Sequence, residues 1–290
     1  MNFRFNRMIL LSFDVEHWYT GFQFRGIKGW NEDRWRDLNN INVVLSILKK
    51  FSAKATFFIT GKYVEDYPDI VKTIYSLGHE IGCHGYSHEY IYKQTPEVFE
   101  KETILAKNIL TDLVNDDING YRAASWSITR NSLWALEIIR NAGFIYDSSI
   151  YPTANNKYGI YNTPDKPYQI VLSDKNRLIE IPPQTLAIAN LKLPVGGGVY
   201  LRIFPMWLNK YAIRRTNNSG FPAGIMLHPH ELDPSPPRLK VSFEAWLIKY
   251  FRISKVGAIL NNILSEYNTV TYSDFLDSYD IDSLPENYFD

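Results

Sequence analysis

An apolar run, Met8 to Phe13, ends in two carboxylates, Asp14 and Glu16, separated by one residue. The run reads as a buried strand, and in α/β proteins functional sites are built where strands end at their carboxyl side. Residues two apart on a strand point to the same face, so Asp14 and Glu16 enter one pocket. Neighbouring carboxylates repel, and burial sharpens the repulsion. The pair needs a cation, a shared proton or water. Taken alone it is equally well a solvated loop after an ordinary strand, so the rest of the chain must decide.

Downstream, the pattern alternates. An aromatic, Gly-containing loop, Trp18 to Trp30, leads to a helix over Glu32 to Phe51, with Leu38, Ile41, Val44, Leu45 and Leu48 on one face. Strands follow at Ala55–Ile59, Glu80–Cys83, Gly120–Arg122, Phe144–Tyr146, Ile179–Ile181 and Gly224–Leu227. Helices are expected at Asp69–Leu77, at Pro96–Val114 behind the N-cap Thr95, and at Asn131–Ala142. Residues 151–176 read as a long loop and Gly196–Gly198 as a flexible turn. A helix near Pro205–Arg214, one around Val241–Glu266 interrupted at Gly257, and a short strand near Val270 complete the chain. Such β-α alternation with short connections implies a parallel sheet with helices outside, as an open sheet or a barrel. No repeat or linker divides residues 1–290, which reads as one domain.

Composition removes several function classes. Lys+Arg and Asp+Glu both number 31 and no polybasic segment occurs, so nothing favours nucleic acid. Cys83 is the single cysteine, which excludes an intrachain disulfide. No stretch reaches 18 apolar residues, and Met8–Phe13 is too short for a signal h-region, so we expect a cytoplasmic protein without a membrane span. Aromatic residues make up 15% of the chain, which suits a cleft that stacks on sugar rings as well as an ordinary core. Monomer and homo-oligomer are both open.

Strand ends supply partners for the acidic pair. His84 and His88, four apart, share a face if they lie on a helical turn, and both imidazoles then reach one metal. With a carboxylate from another strand they form a two-His-one-carboxylate site with open positions. One of Asp14 and Glu16 binds the metal while the other acts as general base. Arg122, ending the fourth strand, holds the free carboxylate ionised. His228, after the seventh, protonates a leaving amine. Cys83 is expected in the core, His17 on the opposite strand face and His79 in a structural role. Glu231 and Asp233 are candidates to orient His228 or His230, or else are solvated.

These ordered motifs resemble the polysaccharide deacetylases of the NodB-homology class, carbohydrate esterase family 4, over about Met8 to Leu276. Phe13-Asp14-Val15-Glu16 is similar to the first motif in its spaced form and His84-Gly85-Tyr86-Ser87-His88 to the metal motif. Tyr121-Arg122-Ala123-Ala124-Ser125-Trp126 is similar to the third motif, with Ala124 in place of its usual Pro. Leu227-His228 resembles the last motif, and Pro229-His230-Glu231 a His-Pro-Trp-Glu run with His230 replacing Trp. The resemblance implies a distorted (β/α)7-type barrel, a divalent metal, usually Zn²⁺, on Glu16, His84 and His88, and a carbohydrate substrate. It further implies Asp14 as base, Arg122 orienting it and His228 as acid. Asp147-Ser148-Ser149 resembles an active-site wall, and Trp18, Tyr86, Trp126, Tyr151 and Asp147 are candidates to line the cleft. The implied activity is removal of N-acetyl groups from an acetamido sugar of a cell-surface polysaccharide or its precursor. Alternatives are a cyclic imide or amide hydrolase on the same fold and a non-catalytic carbohydrate-binding relative.

Overall fold

The computed structural model describes residues 5–23, 26–27, 34–153, 158–189, 191–233 and 235–289. The expected helix start at Glu32, parts of the 18–30 loop and residues 154–157 of the expected 151–176 loop lie outside them. Twelve strands are present among the described residues: β1 (Met8–Val15), β2 (Thr56–Ile59), β3 (Glu80–Cys83), β4 (Gly120–Tyr121), β5 (Tyr146–Asp147), β6 (Tyr168–Val171), β7 (Arg177–Glu180), β8 (Thr185–Ile188), β9 (Leu191–Pro194), β10 (Ala223–Leu227), β11 (Asn268–Val270) and β12 (Glu286–Tyr288). The main sheet runs β10-β1-β2-β3-β4-β5-β7-β6-β12, with β11 also paired to β1. Every pairing in it is parallel except β6–β7. The architecture is the expected α/β distorted barrel.

The opening run explains how that sheet is organised. In β1, Ile9, Leu11, Phe13 and Val15 join the large core that also holds Ile41, Val44 and Leu48 of the helix Arg34–Lys50. Leu10 faces the other way, with Phe58, Tyr146, Ile179 and Ile181. Both faces are therefore buried, as in parallel sheets generally. Each fully buried Ile, Leu, Phe or Val there contributes about 1.5–3 kcal/mol. Ser12 and Asp14 share the face of Leu10, so the strand delivers its acid to the inner side.

That inner face is closed by a helix the sequence pattern did not indicate, Tyr272–Ser278. Tyr272, Phe275 and Leu276 pack against Phe58 and Tyr146. Glu80, at the start of β3, bolts it in place. Its Oε2 accepts the Thr56 hydroxyl at 2.5 Å and the backbone N–H groups of Tyr272 and Ser273 at 2.9 and 3.2 Å. Its Oε1 accepts the hydroxyls of Tyr146 and Ser273 at 2.8 and 2.5 Å. A carboxylate thus satisfies two N–H groups that a helix start leaves without an internal partner.

Other expectations shift by a few residues or acquire structure. The 151–176 segment contains β6, and the 180s hold the β8–β9 hairpin. An extra helix, Gly61–Asp66, follows β2. Thr95 caps the helix Pro96–Val114 through the Val98 N–H, as expected. The long C-terminal helix is two, Phe243–Tyr250 and Val256–Leu264. The break falls at Phe251–Lys255, where Arg252 has φ +49°, and Gly257 sits inside the second helix. No described helix is long and apolar enough to cross a membrane.

Gly120 in β4 tests this packing. A Cβ there would lie 2.1 Å from Cζ of the buried Tyr146 ring. We predict that Gly120→Ala destabilises the protein by about 1–3 kcal/mol, read as a lower urea midpoint with unchanged slope.

Candidate active site

Arg122 follows β4 and is fully buried. Its Nη1 donates to Asp14 Oδ1 at 2.6 Å and to Ser12 Oγ at 2.9 Å; its Nη2 donates to Ser148 Oγ at 3.0 Å and Tyr272 OH at 2.8 Å. The guanidinium lies 4.0 Å from the Phe58 ring centroid, a cation–π contact. Burial alone would raise the Asp14 pKa. The Arg122 guanidinium, foremost among its neighbours, outweighs it and holds the carboxyl below its ordinary range. Asp14 is therefore an ionised, oriented carboxylate whose Oδ2 lies 3.8 Å from His84 Nε2.

His84 and His88 meet by a route other than the helical turn expected for them. They flank a loop in which Gly85 has φ +72° and His88 φ +61°. The two left-handed residues fold the chain back and bring the ring centroids to 5.0 Å. At Gly85 the conformation favours glycine because an L side chain is strained there. His84 Nδ1 donates to the Arg122 carbonyl at 2.8 Å, which turns Nε2 into the site. Burial lowers the His84 pKa to about 4, with Asp14 pulling the other way, so the ring is neutral at neutral pH.

His88 Nε2 lies 2.6 Å from Glu16 Oε2. Burial would raise the Glu16 pKa, but His88, His228 and Lys249 outweigh it and keep the carboxyl ionised. One ligand atom each from Glu16, His84 and His88 fall within 4.8 Å of one another. His84 Nε2 is buried without a hydrogen-bond partner among the described residues. Two imidazoles, one of them held neutral, and an ionised carboxylate around such an atom form a donor set that fits a divalent cation.

His228 stands opposite. Its Nε2 is 3.9 Å from Glu16 Oε1. Its backbone N–H donates to Glu231 Oε2 at 2.9 Å, and Nδ1 faces the same oxygen at 3.4 Å. Burial pulls its pKa down, but Glu231, Glu16 and Asp14 together raise it above the ordinary value. The His230 ring lies 5.0 Å from that of His228, and Nζ of Lys249 is 3.4 Å from His230 Nε2. Burial, Lys249 and His228 keep His230 neutral.

The remaining candidates fall in different places. Tyr86 is half-buried with its hydroxyl donating to Glu65 at 3.1 Å. Trp126 is half-buried against Tyr151, ring centroids 5.1 Å apart. Trp18 is buried with Tyr250, its backbone N–H donating to Asp37 at 2.9 Å. Asp147 is also fully buried: it faces Glu180 across β5–β7 and accepts the Ser149 hydroxyl at 2.5 Å. His17 packs among Tyr19, Tyr63 and Tyr67 with Nε2 3.0 Å from Asp66, and Cys83 is in the core. Asp233 pairs with Arg36. Ser12, Tyr272 and Arg202, the last bonded to Glu231, carry no local sequence signal.

Residues 7–144 match the profile of the family described as Polysaccharide deacetylase. Over this stretch, just under half of the chain, the protein is similar to the polysaccharide deacetylases. Residues 148–277 match a second family, described as a domain of unknown function (DUF3473). The peptidoglycan deacetylase of Helicobacter pylori is 32% identical over 107 residues, 37% of this chain and 36% of that protein. The peptidoglycan-N-acetylglucosamine deacetylase of Bacillus cereus is 36% identical over 102 residues, 35% of this chain and 37% of that protein. The alignments thus span little more than a third of these relatives. A Mycobacterium smegmatis structure assigned to the polysaccharide deacetylases superposes with TM-score 0.64 at 18% identity, over 97% of this chain and 92% of that one. Puue Allantoinase superposes with TM-score 0.60 at 16% identity, covering 93% and 89%. Both likenesses show the fold.

Two predictions concern buried charges. Arg122→Leu leaves Asp14 buried without its cation and costs about 3–5 kcal/mol; adding Asp14→Asn recovers part of that loss in urea denaturation. Asp147 and Glu180 hydrogen-bond each other, and burial raises Asp147 to about 6 and Glu180 well above its ordinary value. The folded pair retains protons that the unfolded chain releases above roughly pH 4, so stability falls as pH rises through and above that range. Glu180→Gln is expected to flatten this fall, measured as urea midpoints between pH 4 and 8.

Proposed function

We propose that the protein is a metal-dependent hydrolase that removes an N-acetyl group from an acetamido sugar of a cell-surface polysaccharide or its precursor. The observation that carries this reading is the buried Asp14–Arg122 pair beside the Glu16, His84, His88 cluster, with His228 facing it. In this reading Glu16, His84 and His88 hold a divalent cation; two imidazoles and one carboxylate with open positions favour Zn²⁺. When bound, the cation polarises the amide oxygen and lowers the pKa of a water molecule.

The chain's own residues do the rest. Asp14, ionised and fixed by Arg122, takes the proton of the attacking water. The water's oxygen becomes part of acetate, and the C–N bond breaks. His228 Nε2 gives a proton to the departing sugar nitrogen, so the amine leaves neutral. Glu231 accepts from the other side of His228 and keeps Nε2 turned toward the acid cluster. Trp126 and Tyr86, half-buried at the loops that flank His84 and His88, are available to stack on the sugar. We read both matched segments as one working unit, because the sheet runs through them and the acid and base come from different segments. The peptidoglycan deacetylases among the relatives favour a glycan substrate, and the complete acid, base and ligand set weighs against a non-catalytic role.

The test is acetate release by zinc-loaded protein from a panel of acetylated glucosamine oligomers, peptidoglycan fragments and lipid- or nucleotide-linked amino sugars. Asp14→Asn and His228→Gln should each lower kcat by about 10²–10⁴-fold, with zinc still bound. His84→Ala should lose the zinc, measured by a metal-sensitive dye. No acetate from any member of the panel would sink the reading.

A further inference from the structure

We propose that Arg202 is the positioning residue of the proton donor, and that through it the segment matching a family of unknown function takes part in the reaction. The inference rests on the deacetylase reading above. Arg202 lies on the short helix Gly198–Ile203 and is fully buried. Its Nη2 donates to Glu231 Oε1 at 3.0 Å and to the Ile248 carbonyl at 2.6 Å; its Nη1 donates to the Phe251 carbonyl at 2.7 Å. Arg252 Nη1 in turn donates to the Arg202 carbonyl at 3.1 Å, fixing its backbone. Glu231 is also buried, and its second oxygen addresses His228 twice, at the backbone N–H and at Nδ1.

The geometry is a relay of orientation. Two backbone carbonyls fix the plane of the guanidinium. The guanidinium claims Oε1 of Glu231, which leaves Oε2 for His228. Oε2 sets the ring so that Nδ1 faces inward and Nε2 faces Glu16. A lysine would supply charge at this point but not the planar fork that bonds a carboxylate and two carbonyls together. The arrangement parallels Arg122 and Asp14 across the site. There a buried arginine fixes the base directly; here one fixes the acid through a carboxylate. Arg202, Glu231, His228 and both of these carbonyls lie within residues 148–277, outside the stretch that matches the deacetylase family.

A bolt that only joins helices would look similar in a stability assay, so the test varies the leaving group. An acetamido sugar leaves as an amine that needs a proton. p-Nitrophenyl acetate leaves as a stabilised phenolate that does not. In the full-length zinc-loaded protein, Arg202→Met should lower kcat for the acetamido substrate about 10–100-fold, a fraction of what general acid catalysis supplies, with KM nearly unchanged. Activity on p-nitrophenyl acetate should stay within about threefold, because the phenolate bypasses the acid. Arg202→Lys should recover part of the loss, and adding Arg202→Met to His228→Gln should cost nothing further, as expected for groups acting as a unit. Should Arg202→Met fail to fold, Arg202→Lys and Glu231→Gln are read the same way. Equal losses on both substrates, or a loss additive with His228→Gln, would overturn the proposal while leaving the deacetylase reading intact. Wild-type protein that releases no acetate overturns both.

Discussion

One buried ion pair sets the terms for the rest of the structure. Moving a guanidinium and a carboxylate out of water costs several kcal/mol each, and their attraction repays this only when the remaining donors are also satisfied. Arg122 meets the condition at both terminal nitrogens, with Nε left without a hydrogen-bond partner among the described residues, by gathering groups from distant parts of the chain: Ser12 and Asp14 on β1, Ser148 after β5, and Tyr272 at the start of the last inner helix. Its own carbonyl accepts a hydrogen bond from the Nδ1–H of His84. The same residue thereby orients a carboxylate and selects the tautomer of an imidazole. Displacing any one of these segments would leave a buried polar group without its partner.

This requirement explains why the C-terminal helix packs on the inner face. Tyr272 must bring its hydroxyl to Arg122, and Glu80 holds the backbone of that helix start. The ring of Tyr272 also stacks on Tyr146, centroids 5.6 Å apart. Phe58 lies between the two arrangements, under the guanidinium on one side and edge-on to Tyr272 on the other. Apolar packing and the charge network are therefore one assembly. Residues near position 272 contribute to the setting of an acid near position 14.

The parts of this that were legible in the sequence are those with a local cause. The apolar run ending at Asp14, the helix capped by Thr95 and the strand before His84 follow from short-range pattern. So does the list Asp14, Glu16, His84, His88, Arg122 and His228, which the structure brings together. What escaped depends on distant partners. The helix Tyr272–Ser278 is seven residues long and is held by Glu80, almost 200 positions away. The break in the 243–264 helix falls at Arg252 rather than Gly257, beside the bonds that Phe251 and Arg252 make with Arg202. His84 and His88 share a loop rather than a helical turn, because two left-handed residues reverse the chain there. Arg202 is an ordinary arginine in its own surroundings and becomes informative only when Glu231 is seen beside it.

The two buried arginines also bear on how the molecule divides. Family matches split the chain near residue 145, which would ordinarily suggest two units. The charge network crosses that boundary. Arg122, from the first part, takes two of its four side-chain acceptors from the second. The second part alone would hold a histidine and its clamp with no base to face. The first alone would leave Arg122 with Nη2 unbonded in a buried site, a loss comparable to other orphaned buried donors, about 1–3 kcal/mol per group. β10 closes the argument geometrically. It comes from the second part yet pairs with β1 from Ile9 to Phe13, and so places His228 directly beyond the strand neighbouring Asp14 and Glu16. His228 and Asp14 are juxtaposed because a parallel pairing aligns the carboxyl ends of these two strands, and that register is fixed by the same apolar run with which the chain begins.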